Sequence, residues 1–577
     1  MPVPRAFFLF CSHLYDNIKA QIYKEGIFMK NKLPTPAKIA INIFITLVFA
    51  AIYFYFGLPA INIKSPEFWQ FAIITLVFFT ILNTVTTTHR IIYDPKTEGK
   101  LIIRDLWNSC KIPLILVGLC LAFCLIFSIL SAVIFNSSAY SSLIEIKEGN
   151  FTEDVTEISY DQIPMLDGAS ANALANRKLG ELSDLVSQFE VNGESAQINY
   201  NDRPVRVSYL NYGDFFKWFN NQSSGIPAYM VTDMVTQEVT VVRTESGIKY
   251  SPSEYFNRNI MRHLRFNFPT FMFDDVNFEI DEEGTPYFVA SVLTKRIMVF
   301  GGNDIKGAVL VNALTGECSY YDAGDVPQWV DRVFSAELLI EQYNYYGTYQ
   351  GGFWNSIFGQ TGCTVTTEGY NYIAQDDDVW VYTGVTSLGG DESNIGFILV
   401  NQRTKDARFY NIAGAEEYSA MDSAQGSVQQ YSYEATFPLL LNIEGQPTYF
   451  MALKDASSLV KMYAMVNVQQ YQIVANGYSL SECQQNYQNM LLKNGIIEEE
   501  VEPEPEIVTV EVTGSITDIR SAVINGTTYY YFTIGEKNYK ISASDSETAI
   551  FAEVGDEITL VYNSDHAEDA IISAKIK

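Results

Sequence analysis

The chain has 577 residues, 48% of them hydrophobic, and 67 Asp+Glu against 38 Lys+Arg, a net charge of −29. Such an acidic balance argues against nucleic acid as a partner, because like charge repels phosphate. Seven cysteines are too few and too scattered for a disulfide scaffold; beyond residue 135 only Cys318, Cys363 and Cys483 remain.

Near the start, Lys24-Glu25-Gly26 can be encoded as a bacterial ribosome-binding sequence, two residues before Met29-Lys30-Asn31-Lys32. Met29 is therefore a second candidate start beside Met1, with residues 1–28 as translated leader.

Three apolar runs follow, at 39–60, 68–85 and 112–135, with no charge inside any of them. Each meets the length of about 20 residues that a bilayer core requires. Arg5, Lys19, Lys24, Lys30, Lys32 and Lys38 precede the first run. Arg90, Lys96, Lys100, Arg104 and Lys111 lie between the second and third, whereas the first loop has only Lys64. Basic flanks stay cytoplasmic, so the reading is a multi-pass cell-membrane protein with its N-terminus inside. The large C-terminal region is then extracytoplasmic. Charge agrees: residues 1–135 carry a net +6 and the rest a net −35.

The organisation predicted is 1–38 as a cytoplasmic N-terminus and 39–135 as the spans. Residues 136–497 form an α+β repeat region, 498–506 an acidic Pro/Glu linker, and 507–577 a small β-barrel. The linker Glu498-Glu499-Glu500-Val501-Glu502-Pro503-Glu504-Pro505-Glu506 is self-repelling and stiffened by proline.

Inside 136–497 a weak repeat recurs. Asp233-Met234-Val235-Thr236-Gln237-Glu238, Asn312-Ala313-Leu314-Thr315-Gly316-Glu317 and Asn401-Gln402-Arg403-Thr404-Lys405-Asp406 share an Asx, a Thr three residues on and an acid. β-rich runs flank each, so each reads as a hairpin tip, with a fourth, degraded copy at Asn467. Helical patterns interleave. Leu174, Leu179, Leu182, Val186 and Phe189 line one face, 253–264 forms another, and Pro327 to Gly347 bounds a third. Ser479-Leu480-Ser481-Glu482 is a capping box opening a fourth that closes at Gly495.

A helix followed by strands ending in Val311-Asn312-Ala313-Leu314-Thr315-Gly316-Glu317 resembles the PepSY module of bacterial envelope proteins. The Asp233 and Asn401 copies lack the glycine. The resemblance covers about 160–490 and implies extracytoplasmic regulatory or binding units rather than catalysts. The tail has strands from 508, the hairpin turn Asn525-Gly526, strands at 527–534 and 539–543, a short helix at 546–552 and strands at 554–562 and 570–576. This looks like a five-stranded OB-fold barrel. With 5 basic and 11 acidic residues from Ile507 on, it is not read as a nucleic-acid binder.

Chemistry is sparse. His263 and His566 are the histidines beyond the spans, and no serine elbow or zinc spacing surrounds them. Asp376-Asp377-Asp378 is a candidate metal cluster for calcium, beside Asp274-Asp275 and Asp281-Glu282-Glu283; solvated loop charge is the plainer reading. Arg258, Arg262, His263 and Arg265 are a candidate anion-binding group on one predicted helix, with pairing to neighbouring acids the plainer reading. Aromatics crowd 343–354, fitting either a binding platform or packing.

The fold class expected is therefore membrane-anchored α+β: three transmembrane helices, tandem helix-plus-antiparallel-sheet units and a terminal OB-like barrel. The function expected is an envelope protein that binds or regulates other proteins, without cofactor or catalytic residue. The partners expected are the lipid bilayer and an envelope protein. The alternatives are a carboxylate-dependent glycan or peptidoglycan hydrolase and an accessory subunit of a membrane transport or secretion complex.

Overall fold

A computed structural model describes residues 35–92, 99–157, 163–375, 377–389, 393–457, 459–498, 509–524, 527–542, 550–563 and 571–576. Met29, Asp376, the linker beyond residue 498, the Asn525-Gly526 turn, His566 and most of 546–552 lie outside the described residues.

The apolar runs form α1 (Thr35–Gly57), α2 (Pro66–Ile92) and α3 (Gly99–Leu130). Within them Pro36–Gly57, Pro66–Thr86 and Cys110–Leu130 are long and apolar enough to cross a membrane, and at most 11% of each window is buried by protein. Hydrocarbon, not water, suits such surfaces, so the chain associates with a membrane through them. Asn42 joins α1 to α2 by donating to Asn83 (3.2 Å) and Thr86 (3.0 Å). The third helix stops at Leu130, five residues before the expected end. There the Ser131 carbonyl accepts from the Tyr140 hydroxyl at 2.8 Å, folding α4 (Val133–Ser141) back. Two short elements follow, β1 (Ile146–Glu148) and α5 (Phe151–Asp154).

Four helix-plus-sheet units come next. The first holds α6 (Gly168–Gly180), β2 (Phe189–Val191), β3 (Ala196–Asn199) and β4 (Pro204–Tyr212). It continues with α7 (Phe215–Asn221), β5 (Ile226–Asp233) and β6 (Val239–Ile248). The second holds α8 (Ile260–Asn267), β7 (Met272–Ile280), β8 (Pro286–Ile297), β9 (Gly301–Asn312) and β10 (Cys318–Asp322). The third opens with α9 (Ala336–Tyr349), β11 (Thr364–Thr366), β12 (Asn371–Gln375) and β13 (Asp378–Ser387). It ends with β14 (Ser393–Asn394), β15 (Gly396–Asn401), β16 (Ala407–Tyr410) and β17 (Gly414–Ala415). The fourth holds α10 (Glu417–Ser427), β18 (Glu434–Ala435), β19 (Leu439–Ile443), β20 (Gln446–Lys454), β21 (Val460–Asn467) and β22 (Val474–Gly477). The helix α11 (Leu480–Lys493) closes the region.

The last two ladder strands of every unit meet at the repeated turn. Asp233 Oδ1 accepts from the amides of Val235 and Thr236, both at 2.8 Å. Asn312 Oδ1 holds Leu314 and Thr315 at 3.0 Å, and Asn401 Oδ1 holds Arg403 and Thr404 at 2.9 and 2.8 Å. Asn467 repeats the pattern on Gln469 and Gln470 at 3.1 and 2.9 Å. In the first three turns the position before the acid is left-handed: Gln237 at φ 64°, Gly316 at 79° and Lys405 at 66°. Glycine is favoured there but not obligatory, which is why its absence from two copies leaves the turn intact.

The second unit's sheet, in order β10-β9-β8-β7, is buried on both faces. Phe288, Ala290, Val292, Val309 and Val311 join the core of the first unit, under α6 and α8. Val289, Ala308 and Leu310, alternating with them, join the core under α9 and the third unit. A strand's period of two thus couples three units through one sheet. In the third unit β1 adds parallel to β16, tying the segment after the spans into the ladder.

Three expected helices differ in extent. The first ends at Gly180, and Phe189 opens β2 instead. The second begins only at Ile260, after a single 3-10 turn at Phe256–Arg258. The third begins at Ala336, because residues 327–335 cross the sheet: the Val333 and Phe334 amides both donate to the Gln402 carbonyl, at 3.1 and 2.8 Å. Gly347 lies inside α9, where a Cβ would strike the Thr364 carbonyl; it allows a close approach and is no cap. Ser479 caps α11 as expected, its Oγ accepting the Glu482 amide at 3.2 Å, but the Glu482 side chain reaches back one residue further than in a capping box, to the Tyr478 amide at 2.8 Å.

The tail, a separate unit from Asn494, has β23 (Thr509–Ile524), β24 (Thr527–Ile534), β25 (Lys537–Ser542), β26 (Glu557–Asn563) and β27 (Ile571–Ile576). Their order is β25-β24-β23-β26-β27, all antiparallel. Among the described residues no ladder joins β25 to β27, although the two strands lie against each other, so the sheet is five-stranded as expected and its closure into an OB-like barrel is not shown. Ile516, Phe532, Tyr539, Ile541, Ile558 and Leu560 are its core.

Candidate functional site

The predicted cationic group falls on and just before α8, at the end of α1. Arg265 is 5% exposed; its Nε donates to the Leu58 carbonyl at 2.9 Å, and another of its nitrogens reaches the Phe271 carbonyl. Arg262 donates to the carbonyls of Tyr55 (3.3 Å) and Phe256 (2.7 Å) and lies 4.3 Å from the Tyr55 ring. Arg258 donates to the Gln222 carbonyl, and His263 Nε2 lies 2.7 Å from the Gly316 carbonyl. All four side chains thus meet backbone carbonyls. Two of them meet the last carbonyls of a helix end, where partial negative charge gathers.

Of the acid clusters, Asp281-Glu282-Glu283 falls in a turn, Asp377-Asp378 at the entry to β13, and Asp274-Asp275 inside β7, where its register shifts. Asp281 Oδ1 accepts the Thr285 amide at 2.7 Å in the β7–β8 turn. Asp377, at φ 63°, opens the way into β13 and accepts from Asn199 (3.2 Å) and Gln328 (3.0 Å). Asp378 is held by Arg403 at 2.5 and 2.8 Å and by Asn401 at 2.8 Å. Asp274 accepts from Ser335 at 3.0 Å. Among the described residues no group of three His, Cys, Asp or Glu side chains is placed to hold a metal ion.

A charged cluster that the sequence reading missed lies where the first three units meet. Glu279, next to last in β7, is fully buried and accepts the amides of Asp331 (2.9 Å) and Arg332 (3.2 Å). Asp331, also buried, accepts the Asn199 amide at 2.6 Å. Burial pushes Glu279 up to about 7, against the pull of those two amides and Arg332. Burial, then the charge of Glu279, raises Asp331 well above the carboxylate range. Arg206, nearby, is lowered to about 10 by burial. Burial also works against the charge of Arg332, but Tyr372, Asp275 and Glu279 outweigh it and raise its pKa. Asp331 Oδ1, Arg332 Nε, Arg206 Nε and Gln197 Nε2 have no hydrogen-bond partner within the protein. Both carboxylates are buried, so a substrate cannot reach them from solvent.

The signal for this cluster was weak. Phe278 and Ile280 face the first core, so alternation puts Glu279 on the other face, which in a two-layer fold would be solvent. The 327–335 segment covers that face here.

The aromatic stretch divides. Tyr343 is buried in the core with α9, whereas Trp354, just before a π-helical turn at Asn355–Gly359, and Phe358 within it are exposed. Phe300 enters the bundle, 6.4 Å from Phe123, and helps to line an apolar cavity of about 400 Å³ with Trp69, Ile73, Ile74 and Cys124.

No family model matches the chain, and no curated protein matches it. Among solved structures, a crystal structure of an ACO/RPE65 chimera aligns at 8% identity with a TM-score of 0.13, covering 67% of this chain and 62% of that one. The chain spans less than two thirds of the chimera's length, and a likeness at that score carries no argument about fold or function.

Proposed function

We propose that this is a membrane-anchored bacterial envelope protein whose extracytoplasmic body of tandem, PepSY-like units binds or regulates another protein, with an OB-like domain at its end. Support for the orientation comes from charge. One end of the bundle meets the body through Leu58, Ser131 and Phe300, and the opposite end carries Lys38, Arg90, Lys100, Arg104 and Lys111.

The observation that carries the binding reading is an edge. β6 ends its sheet and runs for ten residues with much of its length half-buried or exposed. The equivalent strand of the third unit, β16, has its edge covered by β1, and that of the fourth, β22, packs on α11. A long strand edge accepts an extended segment of a partner through backbone hydrogen bonds. The buried state of Glu279 and Asp331 weighs against a carboxylate hydrolase, because general acid and base must reach substrate.

The test is crosslinking with mass spectrometry on the full-length protein in its native membrane. Neighbouring edge residues point their amides to opposite sides, so one of Thr240→Pro and Val241→Pro removes an outward donor. Crosslinks from β6 to another protein, lost in one variant and kept in the other, support the reading. No crosslinked protein at β6 in wild type sinks it.

A further inference from the structure

The body shows a cluster of aromatic side chains beside the end of α1. Phe215, Phe216 and Phe219 on α7 are 45%, 75% and 59% exposed, Phe256 is 60% exposed, and Met261 and Phe266 on α8 are 41% and 54%. They are continuous: Phe215 lies 5.3 Å from Trp218, which lies 5.8 Å from Phe256. Large rings exposed together on a soluble face mark a surface that something covers.

We propose that lipid covers them: this face seats the body in the interfacial layer of the same bilayer that the helices cross. The first argument is level. The Phe266 ring lies 5.6 Å from Phe54 and 6.2 Å from Tyr55, both in the last turns of the span Pro36–Gly57. Arg262 reaches the Tyr55 carbonyl and the Phe256 carbonyl with one guanidinium, which fixes Phe256 beside the helix end. Phe56, next to Tyr55, is itself 71% exposed, so the patch continues the apolar surface of α1 without a break.

The second argument is chemistry. Phe side chains on the apolar face of an interfacial element bury at the boundary of headgroups and acyl chains, and a face joined to spanning helices pays little entropy to stay there. Charge agrees as well. The residues from 136 onward carry a net −35, which an anionic leaflet repels, but this patch presents Arg258 and Arg262. Two acids adjoin it: Glu254 is buried beneath it, accepting from Tyr212 and Trp218 at 2.8 Å each, and Asp214, which caps α7 by accepting the Phe216 amide at 2.8 Å, stands 3.5 Å from Lys217.

The experiment uses the full-length protein in nanodiscs of phosphatidylcholine and phosphatidylglycerol with clickable alkynyl acyl chains and no other protein. A benzophenone amino acid replaces Phe216 or Phe256, and, as a control on the fourth unit, the exposed Tyr471. These side chains are exposed, so folding is retained, and a thermal melt checks it. Irradiation is expected to give lipid adducts at 216 and 256 at least several-fold above 471. Adduct levels at 216 and 256 equal to the level at 471 overturn the proposal and leave the patch to a protein partner.

Discussion

Arg265 Nε donates to the carbonyl of Leu58 across 207 residues of chain, at 2.9 Å. Leu58 sits just past α1 in a left-handed conformation, φ 48°, so its carbonyl turns away from the helix and toward the body. The same guanidinium holds the Phe271 carbonyl before β7, so one buried cation clamps the first span to the second unit. Arg265→Ala would leave these carbonyls without their donor, at a cost of about 3 kcal/mol. Arg265→Lys should recover only part of it, because one ammonium cannot match the planar fork. Thermal unfolding in nanodiscs checks this; a melting temperature unchanged in the alanine variant refutes the clamp.

The repeated turns offer a test of local geometry. Gln237 and Gly316 occupy the same left-handed position in two of them. Gln237→Gly relieves the strained position and should stabilise by about 0.5 kcal/mol, the gain in the fold being partly offset by a freer unfolded chain. Gly316→Ala should cost about 2 kcal/mol or more, since a Cβ there overlaps the Tyr250 ring. Opposite signs at equivalent positions are the measurement, by equilibrium unfolding of the two variants.

These turns were legible because their chemistry is local: Asx, two residues, Thr and an acid specify the backbone around them. The spans were legible for the same reason, since apolar length alone decides them. The cationic helix was half legible. Its residues were identifiable, but the carbonyls of Tyr55 and Leu58 that they hold are remote in sequence and have no side-chain signature. Residues 327–335 misread as helix because Trp329, Val330, Val333 and Phe334 fit a helical stripe as well as they fit a segment laid across a sheet. Glu279 was illegible since burial of its face depends on that segment.

Asp378 tests the acid triplet. Both of its oxygens are engaged by Arg403 and Asn401, and Asp377 is engaged by Asn199 and Gln328. Calcium at millimolar concentration should leave the melting temperature unchanged, whereas Asp378→Ala should cost about 3 kcal/mol by stranding a partly buried guanidinium. A calcium-dependent rise in melting temperature that Asp378→Ala abolishes would show the cluster to be a metal site after all.

The Glu279–Asp331 pair predicts a pH dependence of unusual sign. Most carboxylates in folded proteins are lowered and stabilise the fold above their ordinary pKa. Here burial raises Glu279 from 4.5 to about 7, and Asp331 moves upward too. The native state therefore holds more protons than the unfolded chain between about pH 4 and 7, so stability falls as pH rises through that window. The shift in Glu279 alone corresponds to roughly 3 kcal/mol, full stability being present below the unfolded pKa and lost as pH passes the folded one. Unfolding by denaturant from pH 4.5 to 8 should show that slope. Glu279→Gln, which cannot ionise, should remove the Glu279 share and the repulsion it imposes on Asp331, while the share due to burial of Asp331 persists. A slope that survives unchanged in Glu279→Gln would assign the proton elsewhere.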